Sequence, residues 1–202
     1  MPSYQMSKIY GLTGGIAAGK STVLELFKEH GYMVYDADTV ARKVVQPASI
    51  GLKEIVAEFG DKVLQADGSL NRSKLAAIVF SDELQLQKLN QITRPLIKDE
   101  ILKIITEVKN SSQTITTIFE IQLLFEGHYQ EYFDGVISLY VEPQTQLQRL
   151  MKRNKLTEKV AWERINSQMS MNEKKSRADF VIDNSGDLTQ LAYEFDKLIT
   201  QL

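Results

Sequence analysis

The sequence predicts an α/β fold: a mostly parallel sheet with helices on both faces, plus a helical insertion and a helical lid. Three observations carry that expectation. Short apolar, β-rich runs at 8–12, 32–38, 114–125, 134–143 and 178–186 alternate with helical stretches, as strands joined by crossovers do. The first run leads straight into a glycine-rich turn and an amphipathic helix, "YGLTGGIAAGKSTVLELF". Finally, from about 39 to 109 the pattern turns helical, a block too long for one crossover, and so reads as an insertion that builds a second lobe.

Taken in order, 8–12 is a short buried strand and 19–29 a helix whose apolar face is Val23, Leu24, Leu26 and Phe27, with Gly31 as its stop. "YMVYDAD" (32–38) is a second strand with an acidic end. "IGLKEIVAEFG" is a helix closing on Gly60, and "NRSKLAAIVF" a helix after a "DGS" turn. Residues 81–108 form a long helix or helix pair, with Pro95 marking a kink or break, and "NSSQ" (110–113) is a loop. Strands return at 114–125 and 134–143. A charged amphipathic stretch follows, with Thr157 as an N-cap, and then a last strand at 178–186 and a C-terminal helix. The expected organisation is one domain over 1–202. Its core is roughly 6–38, 112–145 and 176–202, its helical lobe roughly 39–111 and its lid roughly 146–175.

Bulk composition narrows the function classes. At 202 residues, 43% hydrophobic and 25% charged, the chain can bury a proper core. A formal net charge of −2 leaves no footprint for nucleic acid or an anionic membrane. Cysteine is absent, so disulfides, thiolate nucleophiles and cysteine zinc sites are excluded. His30 and His128 are the two histidines, too far apart in sequence to suggest zinc. No signal-peptide pattern and no run near the ~20 apolar residues of a membrane span is present, so the cytoplasm is the expected compartment.

"GGIAAGKS" fits G-x-x-x-x-G-K-[ST] at Gly14, Gly19, Lys20 and Ser21. Glycines let the backbone curl so that several N–H groups point inward, and the helix N-terminus adds partial positive charge. Lys20 can then reach the outer phosphates, Ser21 can offer its hydroxyl to Mg²⁺, and Thr22 can support the inner phosphates. The motif alone does not separate a kinase from a GTPase or an ATP-driven switch.

Other residues narrow the choice. Asp36 and Asp38, read on one strand, share a face at the C-terminal edge of the sheet, where ligands bind in open α/β folds. Asp38 is the candidate base for a hydroxyl acceptor, and Asp36 could orient that acceptor or assist the metal. "TTIFEIQLLFE" resembles a Walker-B strand, with Glu120 as the carboxylate supporting Mg²⁺. Glu126 reads as a surface or hinge residue. Arg149 and Arg153 are four apart on one helical face, with Arg164 and Gln168 repeating the spacing, as suits a lid that neutralises charge on a transferring group. Trp162 reads as packing.

With these parts assembled, the chain resembles the dephospho-coenzyme A kinases over nearly its whole length. The resemblance begins with "GLTGGIAAGKST", "DAD" and "VARKVV" and continues through "FGDKVLQADGSLNRSKLAAIVF" and "LNQITRPLI". It then takes in "LLFE", "YVEPQTQLQRLMKRN", "RINSQM" and "ADFVIDNSG". It implies a P-loop kinase-like fold with a parallel core, a helical substrate lobe over roughly 39–111 and a lid, and transfer of the ATP γ-phosphate to the 3′-hydroxyl of dephospho-CoA, with Mg²⁺. Residue by residue, it implies that Gly14, Gly15, Ile16, Ala17, Ala18, Gly19, Lys20, Ser21 and Thr22 bind the ATP phosphates. Arg149 and Arg153 serve the same nucleotide, and Asp38, Lys20 and Arg149 are the catalytic residues. Thr13, Asp36, Asp38, Arg94 and Leu123 fall on the acceptor side, and Ser21 and Glu120 on the metal.

Four positions in three places depart from the family pattern: Arg94-Pro95 for His-Pro, Glu120-Ile121-Gln122-Leu123-Leu124 for Asp-x-Pro-Leu-Leu, and Ala18 for a loop serine. Arg94 adds charge in the lobe, and Gln122 loosens the strand end. A kinase for another small hydroxyl or nucleoside monophosphate acceptor, or a nucleotide-binding switch, is the alternative. The expected partner is dephospho-CoA, with no nucleic acid or membrane, and the expected state a monomer or weak homo-oligomer.

Overall fold

The computed structural model describes residues 8–111 and 115–202. Among the described residues five strands, all parallel, form one sheet in the order β2-β3-β1-β4-β5. They are β1 (Ile9–Gly14), β2 (Met33–Asp36), β3 (Thr117–Glu120), β4 (Gly135–Tyr140) and β5 (Phe180–Asp183). The helices are α1 (Lys20–Glu29), α2 (Ala37–Lys43), α3 (Ile50–Phe59), α4 (Arg72–Val79), α5 (Glu83–Lys109), α6 (Pro143–Asn154), α7 (Glu158–Asn166), α8 (Met171–Arg177) and α9 (Leu188–Ile199). Because β1 lies between β3 and β4, the chain changes direction across the sheet at the end of β1, the place where open α/β folds bind ligands.

Two compact units make up the chain. One takes the sequence up to Asp36 and again from Val108 to Leu202; the other is Ala37–Glu107. In the first, β1, β4 and β5 bury Leu12, Ile137, Leu139 and Ile182 against Val23 and Phe27 of α1 and Leu191 and Phe195 of α9. A smaller cluster joins Leu147, Leu150 and Ala161 of α6 and α7 with Trp162 at its edge, so Trp162 is packing. The second unit has its own core of Val45, Leu52, Ile55, Phe59, Val63, Leu70, Leu75 and Val79.

Local chemistry explains where the helices begin and end. Gly31 adopts φ +81°, its N–H donates to Lys28 O, and the Tyr32 N–H donates to Phe27 O, which is a Schellman stop for α1. Ser49 and Asn71 cap α3 and α4, each side-chain oxygen accepting a first-turn N–H. Thr157 does occupy the N-cap of α7, but its hydroxyl makes no capping bond. Pro95 breaks nothing: α5 runs through it as one helix.

Four strand expectations are too long: 134–143 shrinks to β4, ending at Tyr140, and 178–186 to β5, ending at Asp183, and the other two fail more informatively. β2 stops at Asp36, and Ala37 already starts α2. Asp38 is therefore a first-turn helical residue, where a carboxylate is favoured by the helix dipole, and it does not share a strand face with Asp36. The run 114–125 shrinks to β3, ending at Glu120; Thr114 lies outside the described residues. Beyond Glu120 the chain turns, with the Gly127 N–H on Leu123 O and the Tyr129 N–H on Leu124 O. Leu124 and Phe125 are apolar because they are tucked into the core, not because they extend a strand. Leu124 comes so close to β1 that a Cβ on Gly11 would lie 2.6 Å from its Cδ1.

Candidate active site

The glycine loop sits as the motif requires, between the end of β1 and the start of α1. Its curl depends on two left-handed residues, Ala17 (φ +60°) and Gly19 (φ +89°). Gly19 is the N-cap of α1 and brings no side chain to it, so the first-turn N–H groups gain no capping oxygen from that residue. This is the arrangement that presents backbone donors and a positive helix end to a phosphate.

The Lys20 ammonium folds over the loop. It donates to Gly14 O (3.1 Å) and Gly15 O (3.3 Å) and lies 3.7 Å from the Glu120 carboxylate. Register puts Glu120 of β3 beside both Leu12 of β1 and Asp36 of β2, so its carboxylate shares a sheet face with the half-buried Asp36. Glu120 is itself buried, at 7% exposure. Ser21 and Thr22 are exposed in the first turn of α1.

The loop is also held from the other side by α6–α8 and the segment after β5. The Ile16 N–H donates to Gln168 Oε1 (3.0 Å), the Gly15 N–H to the Met171 sulfur (3.2 Å), and Gln146 Nε2 to Ile16 O (2.9 Å). Asn184 Nδ2 donates to Ala18 O (2.8 Å). Arg149 reaches the same neighbourhood, donating from its two terminal nitrogens to Asn184 O (2.7 Å) and Gly186 O (3.1 Å). Arg153, one turn further along α6, is exposed and donates to Asn154. Arg164 and Gln168 do not share a helical face, because α7 ends at Asn166.

Beneath the loop lies a buried polar layer. The Thr13 hydroxyl donates to Gln122 O (3.0 Å), and Thr13 has no exposed surface, so it acts by holding the turn after β3. The same carbonyl accepts from Lys174 of α8 (3.1 Å), a fully buried lysine that also donates to both Glu126 carboxylate oxygens, at 2.9 and 2.8 Å. Glu126 is thus the half-buried partner of a buried lysine, which corrects its reading as a surface or hinge residue. Burial would raise its pKa, but the Lys174 hydrogen bond and charge, with backbone N–H groups including that of Met169, hold it below the usual value.

Of the remaining expected residues, Leu123 is exposed in the turn after β3. In the Ala37–Glu107 unit, Asp38 is exposed on α2 and Arg94 is exposed on α5. Sequence reasoning assigned no role to Gln146, Met171, Lys174 or Asn184. The tracts "RINSQM" and "ADFVIDNSG" hold Gln168 and Asn184, so the resemblance was the available signal.

Comparison with known proteins decides the family. The profile of the dephospho-CoA kinase family matches residues 8–190. The chain belongs to the dephospho-CoA kinase family. A dephospho-CoA kinase of Listeria monocytogenes is 46% identical over 183 residues, covering 91% of each chain. One of Enterococcus faecalis is 40% identical over 97% of this chain and 98% of its own. Among solved structures, dephospho-CoA kinase from Campylobacter jejuni superposes with a TM-score of 0.75 at 30% identity, covering 97% of both chains. A shikimate kinase from Acinetobacter baumannii, at 17% identity and TM-score 0.53, shares the fold. Membership makes this an ATP-dependent kinase, a transferase of the last step in coenzyme A synthesis, and accounts for the phosphate loop described above.

Proposed function

We propose that this site transfers the γ-phosphoryl group of ATP to the 3′-hydroxyl of dephospho-CoA by the residues that follow. The observation that carries the reading is the Lys20 ammonium, poised over the loop carbonyls beside Glu120 at the N-terminus of α1. The loop residues Gly14–Thr22 bind the ATP phosphates, and Lys20 exchanges its loop carbonyls for the outer phosphates. Arg149, already docked beside Asn184 and the loop, neutralises charge on the moving group, with Arg153 supporting the nucleotide. Asp38 takes the proton of the acceptor hydroxyl. The ribose O3′ then bonds to the γ-phosphorus, the bond from that phosphorus to the β–γ bridging oxygen breaks, and ADP leaves.

Asp36, Arg94 and Leu123 contact the acceptor, and Thr13 fixes the turn that carries Leu123. The oxygen donors of Ser21 and Glu120 suit Mg²⁺, which is commonly held by few protein oxygens together with phosphates and water. Bound with the nucleotide, it would be held there and would offset phosphate charge. Among the described residues no helix is long and apolar enough to cross a membrane. We read the chain as acting in the cytoplasm, as a monomer or weak homo-oligomer with no nucleic-acid partner.

The test is a steady-state ATP assay offering dephospho-CoA, adenosine, AMP and shikimate in parallel. Preference for dephospho-CoA is expected; no turnover of it would sink the reading. Asp38→Asn should keep ATP binding and lose most turnover. Retained turnover would remove Asp38 as the base.

A further inference from the structure

We infer that a cleft within the Ala37–Glu107 unit, rimmed by Arg42 and Arg72, binds the diphosphate of the acceptor. The inference rests on the proposed function for the identity of that acceptor. The cleft has a volume of about 620 Å³ and runs between the end of α2, the start of α4 and the 65–70 turn. Its charged lining residues are Arg42 and Arg72; no carboxylate lines it. Neither guanidinium has an ion-pair or hydrogen-bond partner among the described residues. Lys43, the neighbour of Arg42, is by contrast already neutralised by Glu100.

The walls are held in place before any ligand arrives. Leu64 and Leu70 bridge across the turn, and Gln65 donates from its backbone N–H to Ser69 O and from its side-chain amide to the Ser69 hydroxyl. The one carboxylate of that turn, Asp67, faces inward to Ser69, accepting from both its N–H (2.9 Å) and its hydroxyl (2.6 Å). Its charge is thereby kept on local donors. Asn71 is committed to capping α4. Below the arginines, Val45 and Leu70 are buried core residues that give the cleft an apolar floor.

Two unpaired guanidiniums above an apolar floor are complementary to a ligand that joins an anionic group to less polar parts. Guanidinium forks match phosphate oxygens two at a time. A diphosphate ester has the required charge, and the acceptor's nucleoside and pantetheine arms supply the rest. The γ-phosphoryl chemistry itself needs nothing from this cleft, so the cleft sets acceptor affinity and not the transfer step.

The experiment compares wild type with Arg42→Gln, Arg72→Gln, the double variant and Arg72→Lys. Dephospho-CoA binding is titrated by calorimetry with ADP saturating the phosphate loop, and steady-state constants are measured alongside. Each glutamine variant should weaken dephospho-CoA binding and raise its KM about tenfold, and the double variant about a hundredfold. The KM for ATP and the kcat at saturating acceptor should be unchanged. Arg72→Lys should recover part of the loss, since it restores charge without the fork. Added salt should raise the wild-type KM for dephospho-CoA more than that of the double variant. Unchanged dephospho-CoA affinity in both glutamine variants, with wild type turning the acceptor over, overturns the inference and leaves the proposed function standing. Wild type failing to use dephospho-CoA overturns that function, and the inference with it.

Discussion

Removing the Glu126 carboxylate should strand a lysine that the fold has fully buried. Lys174 has no exposed side-chain surface, and its three donated bonds go to Gln122 O and the two Glu126 oxygens. Glu126→Ala leaves a buried ammonium with a single carbonyl. Breaking a buried pair in this way costs about 3–5 kcal/mol. The Glu126 side chain is 25% exposed, so water can enter its place, and the lower end, about 3 kcal/mol, is the expectation. Lys174→Met removes the charge and leaves Glu126 with the Met169 N–H and solvent, at about 1–2 kcal/mol. The double variant should resemble Lys174→Met alone, because no unpaired ammonium remains. The coupling is then about 3 kcal/mol, well above the scatter of independent sites. Urea unfolding followed by the fluorescence of Trp162, the single tryptophan, reads the same unit. Additive single effects, or a Glu126→Ala loss below about 1 kcal/mol, would refute the pairing as the source of stability.

The same pair carries a pH signature. The folded pKa of Glu126 is lowered, so its contribution is present above the unfolded value, near 4.5, and is lost as pH falls through the folded one. Urea midpoints of wild type and Glu126→Ala should therefore converge in acid; a constant gap would count against it. Gly19→Ala forces a side chain onto a φ of +89° and sets its Cβ 2.3 Å from Asn184 Nδ2, so nucleotide affinity should drop at least tenfold by equilibrium dialysis. Lys20→Ala should lower kcat/KM about a hundredfold or more in the ATP assay, and unchanged kinetics would dismiss the loop assignment.

What could be read from the sequence was what lies close together along it. The phosphate loop is a contiguous tract, and its glycines, lysine and helix start declare themselves by spacing. Helix stops at Gly31 and Gly60 were equally local. The supports of the loop were hidden because they come from far away: Gln168 and Met171 reach residues more than 150 positions earlier. Lys174 stands in "NEKKSR" and looks like solvated charge. Its burial follows from its place three residues after Met171 on the inner face of α8. The run 114–125 misled because core burial and strand pairing both select apolar residues. The "DAD" spacing misled because a strand can pass into a helix without a linker.

The division of the chain also orders its synthesis. Ala37–Glu107 is contiguous, helical and equipped with its own core, whereas the sheet unit is interrupted by it. When the last of α5 leaves the ribosome, β1 and β2 have been made but are not neighbours in the sheet; each needs β3, whose first residue is Thr117. Closing β2 onto β3 across about 80 residues costs roughly 4 kcal/mol of chain entropy for a flexible loop. The lobe, built from local contacts, can fold during translation, while the sheet assembles afterwards as the slower step. Until then the apolar edges of β1 and β2 wait unpaired, and a chain stalled after the lobe would be the species most exposed to aggregation.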